Sequence, residues 1–159
     1  MQRYFVAPSQ IRDGAVVLLG DDARHLAAVM RGKPGDRFVA CDGEGIEALA
    51  RIVSVDKERI EAAIEETLRS NAETAWRVTV AQSLPKGDKL ETVVQKGTEA
   101  GAAAFQPFES ARTVVRYDGR KEAKRAERWR RIAKEAAEQS HRAVVPEVRD
   151  VCGWQELLG

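Results

Sequence analysis

The segment from Trp76 to Pro107 constrains the fold of this chain more than any other. Trp76–Gln82 alternates as a strand, and Asp88 then starts a helix, with Glu91 three positions on as in a capping box. Leu90, Val93, Val94 and Gly97 fall on the inner face of that helix, and Gly101 is placed to stop it. Ala102–Phe105 is a short apolar run ending at Pro107. Strand, helix and strand within about thirty residues read as a βαβ unit, which implies a parallel sheet with a right-handed crossover. Thr113–Tyr117 is a further extended candidate, a long helix spans about Arg120 to Arg142, and Ala143–Val148 returns to extended structure. So few parallel strands leave a face or an edge uncovered, so the chain is expected to pair with something or to belong to a longer protein.

The first seventy residues have another rhythm. Arg3–Val6, Ala15–Leu19, Arg37–Cys41, Ile46–Val55 and Arg59–Ile64 read as closely spaced strands. Asp42-Gly43-Glu44-Gly45 and Asp56-Lys57-Glu58 are turns. One short helix interrupts them, with Asp21 or Asp22 as its cap and His25, Leu26, Val29 and Met30 at helical spacing. The pattern suggests a small barrel. Residues 69–75, RSNAETA, are polar and unpatterned and read as a linker. The expected domains are therefore 1–70 and 76–159, joined at 71–75.

At 43% hydrophobic and 32% charged residues the composition is that of a folded chain and not a disordered one. No apolar run is long enough for a transmembrane helix, and no signal peptide opens the chain, so a cytoplasmic protein without membrane association is expected. Cys41 and Cys152 lie far apart, and with only His25 and His141 besides there is no local zinc spacing, so no metal is expected.

The net charge of +1 hides an asymmetry: between Arg112 and Lys134 ten basic residues face three acidic ones. Such a field attracts phosphate, although a solvated helix face laced with charge pairs has the same composition. On the long helix Ala126, Trp129, Ile132, Ala133, Ala136, Ala137 and Ser140 share one face. Arg128, Arg131, Glu135, Gln139 and Arg142 border it, either as a structural polar seam pairing Arg131 with Glu135 and Glu138 with Arg142, or as the edge of a site. The loop Ser83-Leu84-Pro85-Lys86-Gly87-Asp88-Lys89 lies between strand and helix, where open α/β sheets bind ligands; it suits an anion or is a plain capped helix start. It lacks the Walker spacing, and the chain has no GxGxxG, GxSxG or HExxH.

These segments together resemble the bacterial 16S rRNA uridine N3-methyltransferase family, ribosomal RNA small subunit methyltransferase E. The resemblance runs the length of the chain. It rests on Arg3-Tyr4-Phe5-Val6, His25-Leu26 with Val29-Met30-Arg31, Gly35-Asp36 and Asp42-Gly43 in the first part. In the second it rests on Gln82 to Glu91, Gln95-Lys96, Pro107, Ser110 with Arg112, Arg128-Trp129, Ile132-Ala133, Glu135 to Ser140, Arg142 and Val145 to Val148. Two departures stand out. The family's Glu-Leu-Gly is Glu99-Ala100-Gly101 here, and its Ser-Glu-Arg is Ser110-Ala111-Arg112, so the acidic member is missing.

The resemblance implies an α+β and α/β chain: an N-terminal PUA-like RNA-binding β-barrel followed by part of a SPOUT methyltransferase domain with a knotted α/β fold. It implies S-adenosylmethionine as cofactor, 16S rRNA or the small ribosomal subunit as partner, and a homodimer. In the family the glycine-rich loop and the segment that closes the knot follow the position of Gly159. No cofactor-binding residue is therefore expected within this chain, which alone is expected not to bind the donor. Arg112, Glu135, Gln139 and Arg142 are the catalytic candidates: the arginines stabilise charge or clamp phosphate, and the other two orient. Arg3, Arg31, Lys86, Lys96, Arg128 and Arg131 are the RNA-binding candidates. The alternative is a non-catalytic RNA-binding module or an association fragment.

Overall fold

Strands in the first half place every second side chain on one face, and those residues are apolar. Val16 and Leu18 on β3 (Ala15–Leu19), Phe38 and Ala40 on β4 (Arg37–Cys41), Ala48, Ala50 and Ile52 on β5 (Ile46–Val55), and Ile60 and Ala62 on β6 (Arg59–Arg69) are all buried. With Tyr4, Val6, Ala23 and Leu26 they form one core. Adding β1 (Arg3–Phe5) and β2 (Ile11–Arg12), the six-stranded sheet has the order β1-β4-β5-β6-β3-β2. Its pairs are antiparallel except β1 with β4. Register shifts between Leu49/Ala50 and Ile52/Ser54 bend the long β5–β6 ribbon around the core.

The computed structural model describes residues 1–70, 73–111, 113 and 119–159, the first four residues of the long helix by backbone alone. The chain divides into two compact units, Met1–Glu73 and Thr74–Gly159. Among the described residues no helix is long and apolar enough to cross a membrane.

The first unit departs from expectation twice. Strand β6 runs to Arg69, five residues past Ile64, because β5 offers pairing partners along its whole length, Ile46 opposite Arg69. The outer half of β6 is exposed, so no apolar alternation marks it. The short helix α1 (Gly20–Arg24) is capped by Leu19, without a side-chain bond, and Asp21 and Asp22 sit in its first turn, where carboxylates favour the dipole. It continues as a π-helical turn, His25–Val29. Because a π turn takes more residues than an α turn, the expected face breaks up: Leu26 is buried, while Val29 and Met30 are exposed.

In the second unit β7 (Thr79–Ser83), α2 (Lys89–Glu99) and β8 (Ala104–Glu109) form the parallel βαβ unit. The strand starts later than expected, and Trp76 is 82% exposed. Along the other side of β8 lie β9 (Glu147–Val148), paired at Ala104–Phe105, and β10 (Cys152–Gly153), paired at Phe108–Glu109, both parallel to it. The helix α3 (Gly119–Gln139) packs on α2, and Ala126, Trp129 and Ala133 join Leu90, Val94 and Phe105 in the core. A last helix, α4 (Trp154–Leu158), follows β10. The expected extension at Thr113–Tyr117 lies, beyond Thr113, outside the described residues.

The expected capping box does not form. Asp88 occupies the cap position of α2 with no side-chain bond to it. The Glu91 carboxylate instead accepts a hydrogen bond from Nη2 of Arg128 at 2.8 Å, which ties α2 to α3.

Candidate functional site

Parallel strands end together, so their carboxyl ends gather side chains that are distant in sequence. Ser83 is the last residue of β7, and Ser110 follows β8. The Ser83 hydroxyl donates to the Ser110 hydroxyl at 3.0 Å. Thr113 Oγ1 accepts the Ser110 backbone N–H at 2.8 Å and lies 3.2 Å from its hydroxyl. Three neutral hydroxyls thus meet at the mouth of the sheet. The loop that leaves them bends at Gly87, with φ +72°, and exposes Lys86 and Lys89. Arg112 lies outside the described residues.

A groove of about 400 Å³ runs between α2 and α3. Glu91 and Gln95 line one wall, Glu135 and Gln139 the other, with Ile132 and Ala136 as apolar floor. The structure therefore brings two of the catalytic candidates, Glu135 and Gln139, into one depression. Its rim is ion-paired: Arg128 with Glu91, and Arg131 Nε with Glu135 at 3.4 Å. The border stripe of α3 is a seam at those pairs and a groove wall between them.

Arg142 does not join this groove. Only 7% exposed, its Nη1 donates to the Ala102 carbonyl at 2.6 Å and to the Thr98 carbonyl at 3.3 Å. It thereby satisfies the Ala102 carbonyl beyond the end of α2 and adds a second donor to the Thr98 carbonyl, which also accepts the Gly101 N–H at 3.0 Å.

The RNA-binding candidates divide sharply. The Arg3 side chain is 9% exposed, 2.9 Å from Glu47, and donates to the Cys41 sulfur at 3.1 Å. Burial pushes the Cys41 thiol up to about 11, so it stays protonated beside that cation. Arg3 is a structural tie and turns little of its charge to solvent. Lys96 pairs with Glu99 at 2.8 Å. Arg128 and Arg131 form the rim pairs above. Only Arg31 and Lys86 of the six have no carboxylate partner among the described residues. The basic excess of α3 is offset likewise: Arg130 bonds Asp150 at 2.6 Å, and Lys134 lies 3.7 Å from Glu138. Among the described residues no group of three His, Cys, Asp or Glu could hold a metal.

The hydroxyl trio escaped the sequence reading. Ser83 belongs to the basic loop and Ser110 to a matched motif, but nothing in their spacing pairs residues from two strands.

Comparison with known proteins agrees with this architecture. Residues 72–159 match the family described as RNA methyltransferase domain, and residues 18–65 that described as RNA methyltransferase PUA domain. The chain is 45% identical to the ribosomal RNA small subunit methyltransferase E of Bacillus subtilis, over 99% of its own length and 63% of that relative's. The solved methyltransferase E of Neisseria gonorrhoeae, bound to S-adenosyl methionine, superposes with a TM-score of 0.89 at 33% identity, over 99% of this chain and 64% of that one. A methyltransferase of Legionella pneumophila, also solved with its cofactor, gives a TM-score of 0.90 at 29% identity, covering 98% and 64%. The chain spans somewhat less than two thirds of each of these relatives. Its first unit is the PUA sheet and its second the parallel α/β methyltransferase portion. With both halves matched in order, the chain belongs to the RNA methyltransferases of the ribosomal RNA small subunit methyltransferase E family.

Proposed function

We propose that this chain is part of an S-adenosylmethionine-dependent enzyme that methylates N3 of a uridine in 16S rRNA and works as a homodimer. The observation that carries the reading is the match of both units, in order, across 99% of the chain to a relative that bears that rRNA methyltransferase name. Methylating N3 requires a base lifted from its stack and help with a weakly acidic N–H. In this reading Ser83, Ser110 and Thr113, at the sheet mouth, hydrogen-bond the substrate RNA. Arg112, two residues from Ser110, stabilises the developing uracil anion. Glu135 and Gln139 orient substrate from the groove, and Lys86 meets phosphate.

The donor supplies the methyl group when bound. Among the described residues the hydroxyls at the sheet mouth are neutral and bonded to one another, and Glu91 and Glu135 are held by arginines. We therefore assign no step of donor binding to them.

Deletion of the gene that encodes this sequence tests the reading. N3-methyluridine should vanish from nuclease-digested small-subunit rRNA by mass spectrometry. It should return with the wild-type gene and not with an Arg112→Ala version. Full retention of the modified base after deletion would favour a non-catalytic RNA-binding protein instead.

A further inference from the structure

The π-helical turn of the first unit ends in an arrangement that stability alone does not explain. Arg31, the first residue past Met30, has φ +54°. That left-handed position beyond a helix usually belongs to glycine. A glycine is adjacent but serves otherwise: a Cβ on Gly32 would lie 3.1 Å from the Leu26 side chain and 3.2 Å from that of Ile52. Gly32 is thus required for close packing, and its N–H closes the turn on the Leu26 carbonyl at 2.9 Å. Arg31 takes the strained conformation itself.

Its surroundings indicate why. Arg3, Arg24, Arg37, Arg51 and Arg59 of the same unit are each paired with a carboxylate, and among the described residues Arg31 has no such partner. Among the described residues Arg12 and Arg69 are also without such a partner, but neither has a positive φ. Directly before Arg31, Val29 is 66% and Met30 41% exposed, while Leu26 anchors the turn in the core. The Tyr4 hydroxyl and His25 Nδ1, 2.9 Å apart, fix the start of the same turn. Two exposed apolar residues and a cation with no carboxylate partner among the described residues therefore sit on a firmly anchored tip.

We propose that this tip is a docking point for single-stranded RNA, with a backbone phosphate on Arg31 and an unstacked base against Met30 and Val29. Single-stranded segments offer both groups at that spacing, and sequence-tolerant RNA binding combines such cations with surfaces on which bases lie. Thioether sulfur suits an aromatic face. The proposal rests on the RNA-modifying reading above and adds to it a grip on RNA by the first unit.

The test uses the full chain and a fluorescein-labelled single-stranded RNA of mixed sequence, with the duplex of the same sequence for comparison. Arg31→Gly should weaken single-strand binding by about 5- to 10-fold and reduce the slope of log K against log salt by about 0.7, one phosphate's share. Its Tm should stay level or rise by about 2–4 °C. Met30→Ser should weaken binding by several-fold without changing the slope. A fall in Tm of Arg31→Gly with unchanged affinity would make Arg31 a structural residue and overturn the proposal. Loss of self-association in Met30→Ser, with RNA binding intact, would make the tip a contact between copies and overturn it too. If the wild-type chain binds no RNA while the methyl mark still depends on the gene, the enzymatic reading survives and the docking role does not.

Discussion

The Arg142 guanidinium bridges the Thr98 and Ala102 carbonyls from a position that is 7% exposed. Removing it strands the buried Ala102 carbonyl and loses a charge-assisted bond, while the Thr98 carbonyl keeps the Gly101 N–H at 3.0 Å, so Arg142→Ala should destabilise the second unit by about 2–4 kcal/mol. Urea unfolding followed by Trp129 fluorescence measures this, and Arg142→Lys should recover part of the loss, since an ammonium reaches one carbonyl more easily than two. A variant of unchanged stability would return Arg142 to the catalytic candidates. Its sequence position on the border of α3 was legible. Its inward turn was not, because the helix ends at Gln139 and His141 then takes φ +59°, which carries Arg142 off the helical stripe. Arg3 carries the same lesson: its type suggested phosphate, but Glu47 and Cys41 were brought beside it only by strand pairing.

Among elements, α2 shows where helix propensity yields to packing. Gly97 lies in the helix interior, where alanine is normally favoured by about 1 kcal/mol. A Cβ there would sit 2.6 Å from Cε1 and 2.8 Å from Cζ of Phe105, itself buried on β8. Gly97→Ala should therefore destabilise the protein, by about 1–3 kcal/mol, the usual range for overpacking. A gain on denaturant titration would show that β8 can retreat. The sequence placed Gly97 on the inner face of this helix correctly, because the apolar period of 3.6 residues is strong there. The boundary errors fell where that signal fades: the polar outer half of β6, the late start of β7, and the π turn, whose wider period breaks the pattern. The capping box failed for another reason, since Glu91 found Arg128 on a helix more than thirty residues away.

At the scale of the whole chain the two units differ in how much of them the sequence discloses. Alternation with short turns specifies the first, and strand–helix–strand order the second. Both signals are local, which is why the architecture was readable. The site was less so. Its hydroxyls come from the end of one strand and the segment after another, its groove from two helices, and part of the charge of α3 is offset by Glu91 and Asp150 from outside the helix. Of the six cationic candidates, only Arg31 and Lys86 have no carboxylate partner among the described residues, so the phosphate-attracting surface is smaller than the number of cations implies. The left-handed backbone at Arg31 also bears on how this protein would behave under artificial selection. A mutant library screened only for survival of heating should drift toward glycine at position 31, because that residue relaxes the turn. A library screened through rRNA modification should keep the arginine. Heat-hardened variants of this chain would then be the ones to check first for a lost grip on RNA.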